Sequence, residues 1–280
     1  RSVGRKVIIM NTVSIVTVCY NEPNLEDTCK SIVNQTYQDF EWIVIDACSN
    51  DNTQKVWNKY KYRIDTFICE PDDGIYDAYN KAIKLVKNEY VNFMNAGDSF
   101  YNNETLENIF NNKNYDVAII YGNSNYLYTK NFSGNKYNCP QLLTDNVIML
   151  QNINTQSMFI KKYLFEKYGY YNEKYKILAD YDRTICFYKN HVNFKYIPII
   201  VCNYNTNGIS SDKKYVEYCR KEYYDIINKY FTQKEIEKFL NHKVKYSFLE
   251  QLFSIKNSAT GSHKIITFLG CHLKIKRSQK

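Results

Sequence analysis

Four short apolar runs start near residues 13, 40, 65 and 90, a recurrence of about 25 residues, and an amphipathic stretch follows each of the first three. That interval is the length of one strand plus a helix that carries the chain back to start a parallel neighbour. Val13–Cys19, Phe40–Asp46, Asp65–Cys69 and Tyr90–Met94 read as strands, and 22–33, 51–61 and 75–86 as helices. The expected fold class is therefore α/β, with a Rossmann-like, mostly parallel central sheet flanked by helices.

The order loosens after residue 100. Residues 103–110 read as helical, 115–121 as extended, 155–160 as a strand, 180–189 as a helix and 194–202 as a strand, while 122–152 carries few periodic signals. Apolar residues return at helical spacing in 215–231 and 235–252. We divide the chain into a leader or remnant (1–11), a main domain (12–231) and a helical basic C-terminal segment (232–280).

Charge supports that division. The formal net charge is +8, yet residues 233–280 hold ten Lys or Arg against three Glu, so the main body is nearly neutral. A body-wide nucleic-acid surface is not expected, and the basic patch is an attachment. No run of about 18 uncharged apolar residues exists to span a membrane. The first ten residues lack the pattern of an export signal. Nine cysteines without a Cys-x-x-Cys, several inside apolar runs, suit buried free thiols in a reducing cytoplasm.

Ligands of an open parallel sheet bind at the carboxyl ends of its strands. All four strand exits carry acid: Tyr20-Asn21-Glu22, Asp46, Glu70 with Asp72 and Asp73, and Asn95-Ala96-Gly97-Asp98. No Gly-x-Gly-x-x-Gly or Gly-Lys-Ser/Thr loop is present to cradle phosphate. An acidic edge neutralises phosphate only through a bound cation, and Asp98, closing a small-residue turn, is the best ligand for one. The alternative for Asp98 is a turn or cap carboxylate.

Four stretches in order resemble inverting glycosyltransferases of family 2, whose fold is GT-A. They are Ser14-Ile15-Val16-Thr17-Val18-Cys19-Tyr20-Asn21, Ser31-Ile32-Val33-Asn34-Gln35-Thr36-Tyr37, residues 45–53 around Asp46, and residues 70–83 from Glu70 to Ile83. The resemblance reaches about residue 211 and implies a nucleotide-sugar donor, UDP-linked by preference, and a polysaccharide or lipid-linked acceptor.

The resemblance also implies roles. Asp46 matches the acid that holds the nucleobase, and a carboxylate accepts the ring N–H of uracil or of guanine. Asp72 lines the donor pocket or caps the following helix; Asn80 faces the donor or the solvent. Tyr20, Asn21, Glu22 and Asn95 complete the donor set. Asp98 matches the last acid of the family's metal-binding Asp-x-Asp, with Ala96 in place of the first, and implies a divalent metal, Mn or Mg. Leu178-Ala179-Asp180-Tyr181-Asp182 resembles the Glu-Asp-Tyr-Asp/Glu box, placing Asp180 as the base and Asp182 in support. Direct displacement at an anomeric carbon needs such a carboxylate at the acceptor hydroxyl and positive charge at the departing diphosphate.

Two later segments resemble the family more loosely. In Asn154-Thr155-Gln156-Ser157, Thr155 replaces a usual His, and Asn207-Gly208-Ile209-Ser210-Ser211 resembles an acceptor-side loop. The substitutions Ala96 and Ala179 motivate the alternative, a weak or inactive relative that binds sugar nucleotide or glycan. The interleaved cationic and apolar tail from Lys264 to Arg277 suits peripheral contact with the inner face of the cell membrane.

Overall fold

Alternation along the first two strands decides the layering. In β1 (Val13–Cys19), Val13 and Ile15 point to one face and Val16 and Val18 to the other. In β2 (Phe40–Asp46), Phe40, Trp42 and Val44 join the first face, and Ile43 and Ile45 the second. With both faces apolar, the strands can only be covered from both sides. Helix α1 (Leu25–Val33) covers the first with Leu25, Cys29 and Ile32, an i, i+4, i+7 stripe. Helix α2 (Asp51–Tyr60) joins it through Trp57, and its N-cap Asn50 accepts the amides of Asn52 and Thr53.

The chain continues as β3 (Thr66–Cys69), α3 (Ile75–Leu85), β4 (Tyr90–Phe93), β5 (Ser99–Phe100), α4 (Thr105–Phe110), β6 (Ile119–Leu127) and β7 (Asn135–Tyr137). Then come α5 (Asp145–Leu150), a 3-10 turn (Thr155–Ser157), β8 (Met158–Lys161), α6 (Tyr163–Tyr168), α7 (Ala179–Lys189), β9 (Phe194–Asn205), α8 (Val216–Tyr230) and α9 (Gln233–Asn241). Strands β10 (Phe253–Asn257), β11 (His263–Phe268) and β12 (Cys271–Lys276) follow. This computed structural model describes residues 12–127, 135–206, 215–241 and those last three strands.

The main sheet runs β3-β2-β1-β4-β8-β6-β9-β5, with β7 on β6. Strands β3, β2, β1 and β4 are parallel neighbours, as the 25-residue recurrence predicts. Beyond β4 the sheet is mixed: β8 is antiparallel to β4 and β6, whereas β9 is parallel to β6. Helices α3, α7 and α8 pack on the second face.

Three expectations need correction. The stretch 122–152, which carries few periodic signals, contains most of β6, then β7 and α5; Asn123 and Ser124 of β6 are polar yet buried, so no apolar period marks the strand there. Residues 155–157 form a turn rather than the start of a strand. Among the described residues the C-terminal segment has one helix, α9, and the rest of the helical reading over 235–252 lies outside them; its last described part is a three-stranded antiparallel sheet, β10-β11-β12. Ile, Thr and Phe in short runs with Lys at alternate places favour strand over helix. Helix α9 itself leans on the body: Phe239 is buried in the core around α7 and α8, and Glu235 pairs with Lys189 at 3.1 Å.

Candidate active site

From β1 the sheet steps outward to β2 and β3, then returns across β1 to β4. Such a reversal opens a crevice at the carboxyl ends of the two central strands. The chain leaving β4 stays against β1, with Met94 N and Ala96 N donating to Val16 O and Val18 O at 2.9 and 3.2 Å. Thr28 of α1 pins the next turn, its Oγ1 accepting Gly97 N at 2.9 Å and donating to Asp98 O at 2.6 Å. Gly97 has φ +95°, and a Cβ there would meet the Glu22 carboxyl carbon at 3.0 Å. Glycine thus allows both the turn and the close approach of Glu22.

Asp98 is 6% exposed. Its Oδ1 accepts Asn205 N at 2.8 Å and its Oδ2 accepts Gln156 Nε2 at 2.7 Å. Burial pushes this carboxyl up to about 7; the two donors oppose the rise and the negative charge of Glu22 adds to it. Among the described residues its partners are neutral donors and a second acid. Only the two carboxylates could ligate a cation, and no group of three or more possible ligands occurs among the described residues, so the site fits a hard divalent cation that takes one or two carboxylates and completes its shell with substrate phosphate oxygens. Ala96, standing where the family's first acid falls, packs against the core instead, and Glu22 is the neighbouring carboxylate.

Asp180 stands in the first turn of α7. Its Oδ2 accepts Asn152 Nδ2 at 2.9 Å and Thr155 Oγ1 at 3.0 Å, and its Oδ1 accepts Tyr181 N at 2.8 Å and Tyr76 Oη at 3.2 Å. Burial raises the carboxyl above its ordinary range while these four donors hold it back. Thr155 and Gln156 are adjacent in one 3-10 turn, so a single turn holds Asp180 with one residue and Asp98 with the next. Consecutive Cα atoms are about 3.8 Å apart, which confines both acids to one neighbourhood. The buried hydroxyl of Tyr79 responds to both: burial, then the charges of Asp180 and Asp98, raise it.

Asp182 is wholly buried and faces away. Its Oδ2 takes Arg183 Nη2 and its Oδ1 takes Lys229 Nζ, each at 2.7 Å. It supports the helix, as the sequence suggests.

Asp46 ends β2 and is also fully buried. Oδ1 accepts Ser49 N at 2.7 Å and Gln54 Nε2 at 2.9 Å, and Oδ2 accepts Trp57 Nε1 at 2.9 Å. A base reaching Asp46 would have to displace one of these, and the Gln54 amide is the movable one. Exposed Cys69 flanks the same carboxylate, its Sγ 3.6 Å from Oδ1.

The other expected residues divide. Tyr20 is 68% exposed at the end of β1, open for stacking. Asn21 adopts φ +52°, its N donating to Ser49 Oγ and its Oδ1 accepting Asn50 N, so it stitches the β1 exit to the β2 exit. Asn95 pairs its amide with Tyr79 Oη. Asp72 accepts Gly74 N at 3.0 Å ahead of α3, and burial raises it. Asn80 faces neither donor nor solvent. Its amide pairs with Tyr171 N and O at 2.9 Å and donates to Glu173 at 2.7 Å, which fastens α3 to the 171–173 segment. The Asn207–Ser211 loop lies outside the described residues.

Sequence reasoning left Gln156, Asn152, Tyr76, Tyr79 and Asn205 out of the site. Gln156 carried a signal in the Asn154–Ser157 resemblance, and Tyr76 and Tyr79 in the stretch 70–83; Asn152 and Asn205 carried none.

A parallel four-strand core with an acid-bearing turn at its reversal, facing a helix-opening acid, defines a GT-A sugar-nucleotide fold. The structure is similar to S. aureus TarS with a TM-score of 0.61 and 19% identity, covering 85% of this chain and 44% of TarS. TarS 1–349 in complex with UDP-GlcNAc gives 0.60 at 17% identity, covering 84% and 73%. A mannosyltransferase from Pyrobaculum calidifontis in complex with GDP-Man and Mn2+ gives 0.53 at 17%, covering 74% and 59%. The family model for Glycosyl transferase family 2 matches residues 14–193. The chain belongs to this family and is a glycosyltransferase. A PGL/p-HBAD biosynthesis glycosyltransferase of Mycobacterium tuberculosis is 29% identical over 207 residues, covering 72% of this chain and 77% of its own.

Proposed function

We propose that this chain transfers a hexose-type sugar, with inversion, from a UDP-sugar to a hydroxyl of a polysaccharide or lipid-linked oligosaccharide acceptor. The observation that carries the reading is the turn at Thr155–Gln156 tying a raised, helix-opening Asp180 to the Asp98 crevice. In this reading the acceptor oxygen attacks the anomeric carbon as the bond from that carbon to the diphosphate oxygen breaks. Asp180 takes the hydroxyl proton, and the nucleoside diphosphate leaves with the bonding pair. A raised carboxyl is a stronger base than a free one, which suits the role. Asp98 and Glu22 would hold a divalent cation, Mn or Mg, which supplies positive charge at the departing diphosphate. Asp46, with Tyr20 and Asn21 beside it, would receive the nucleobase, and Asp72 and Asn95 border the donor.

The acceptor class is supported by the relative's role in PGL/p-HBAD biosynthesis, and the UDP preference by the TarS complex. Among the described residues no helix is long and apolar enough to cross a membrane. The concentration of positive charge in 233–280 supports a cytoplasmic site of action with peripheral contact at an anionic leaflet.

Asp180→Asn tests the reading. Nucleotide release from a panel of UDP- and GDP-sugars with Mn2+ should fall about 10²–10⁴-fold while donor affinity stays within about twofold. An active variant removes the assigned base. Absence of any turnover by the native chain on the panel would favour the binding-only relative.

A further inference from the structure

Helix α7 begins without a side-chain cap of its own: Leu178 stands at the N-cap. The amides leading into it are instead taken by a residue from another helix. Glu222 of α8 is buried, with Oε1 accepting Lys176 N at 2.6 Å and Oε2 accepting Ile177 N at 3.0 Å and Leu178 N at 2.9 Å. The same stretch of α8 grips the segment three more times. Asp225 accepts Tyr175 Oη, Lys229 donates to Asp182, and the Tyr223 ring stacks on Tyr181 at 6.0 Å and 10°. Positions 222, 225 and 229 share a helix face with Tyr223 beside it, so one side of α8 holds residues 175–182 as a unit. Tyr76 completes the frame, its hydroxyl lying 2.5 Å from Ile177 O and 3.2 Å from Asp180 Oδ1. A shift of Ile177 therefore moves a donor of Asp180.

We propose that Glu222 is a positioning residue for the reaction: by holding the backbone at 176–178 it sets the place and basicity of the Asp180 carboxylate. This rests on Asp180 being the base. Glu222 lies beyond residues 14–193, the part matched by the family model. It touches no substrate and acts only through the backbone. Charge-assisted bonds to three amides are strong enough to fix a loop that two or three neutral bonds would leave loose. Without them, Tyr76 and the Tyr181 amide lose register with Asp180, and a carboxylate that loses donors becomes harder to ionise.

The test uses the full chain and Glu222→Gln, which keeps the volume but offers one acceptor where the carboxylate offers two. The Asp180 carboxyl is titrated by carbon-13 NMR in aspartate-labelled protein, its resonance assigned by loss in Asp180→Asn. Its midpoint should rise by at least about 0.5 pH unit. UDP release from UDP-GlcNAc with Mn2+ should fall at least about tenfold in kcat with donor KM within about twofold. A variant that merely melts lower, with midpoint and kcat unchanged, overturns the proposal. Should Glu222→Gln fail to fold, Tyr175→Phe, which cuts only the bond to Asp225, carries the same titration with a smaller shift in the same direction, and an unmoved midpoint there overturns it too. The two assignments fail separately. Wild-type turnover by Asp180→Asn removes the base, while the titration still decides what Glu222 does. A dead Asp180→Asn beside a Glu222→Gln normal in both readouts removes the positioning role alone.

Discussion

Asp98→Asn should make the metal-free protein more stable at alkaline pH than at acid pH, relative to the native chain. Burial moves the Asp98 carboxyl from an ordinary 3.8 to about 7. The folded state therefore holds a proton that the unfolded chain has already lost, and native stability falls as pH rises between those values. Each unit is worth about 1.4 kcal/mol. The ionised group costs about 4 kcal/mol at pH 8 but only about 1.5 kcal/mol at pH 5, where the folded protein is still protonated. The replacement amide carries no titrating proton, and Gln156 can turn its own amide to meet the new NH2, so other effects of the substitution are the same at both pH values. The stability gap between variant and native chain should widen by about 2.5 kcal/mol from pH 5 to pH 8, or roughly 5–10 °C in melting temperature. Thermal melts in EDTA at the two pH values measure it. Mn2+ with UDP should then raise the native melting temperature at pH 8 and leave the variant unmoved. A gap that does not change with pH would refute the claim that Asp98 is buried without a compensating positive charge.

Two further outcomes follow from the same geometry. Asn80→Ala should cost about 2–4 kcal/mol in urea unfolding, since two buried hydrogen bonds to Tyr171 and a part-buried one to Glu173 are lost, while UDP affinity stays within about twofold; a selective loss of UDP binding would return Asn80 to the donor site. In a Cys48→Ser background, alkylating exposed Cys69 with N-ethylmaleimide should weaken UDP binding about tenfold by calorimetry, roughly 1.4 kcal/mol, because its sulfur borders Asp46. Unchanged affinity would place the nucleobase elsewhere.

Much of the first hundred residues was legible because strand alternation and βα spacing are local patterns. The parallel core β3-β2-β1-β4 and the acids at its exits follow from them directly. The second half was read less well for identifiable reasons. Buried polar Asn123 and Ser124 mask the second half of β6, and the basic, apolar-bearing tail has the composition of a helix where β10–β12 form a sheet. Asn80 shows the limit at a single residue. Its position on α3 was predictable, but its direction depended on Tyr171, which no local pattern links to it.

By itself, the sequence determined which residue types stand at which strand ends, since hydrophobic period and turn chemistry act over a few residues. What surrounds each acid was decided only by the tertiary structure. Burial and the partners Gln156 and Asn205 of Asp98, and Thr155, Asn152 and Tyr76 of Asp180, set the direction in which each carboxyl shifts. Desolvation and hydrogen bonding depend on atoms brought close in space, and those contacts exist only once distant parts of the chain have packed together.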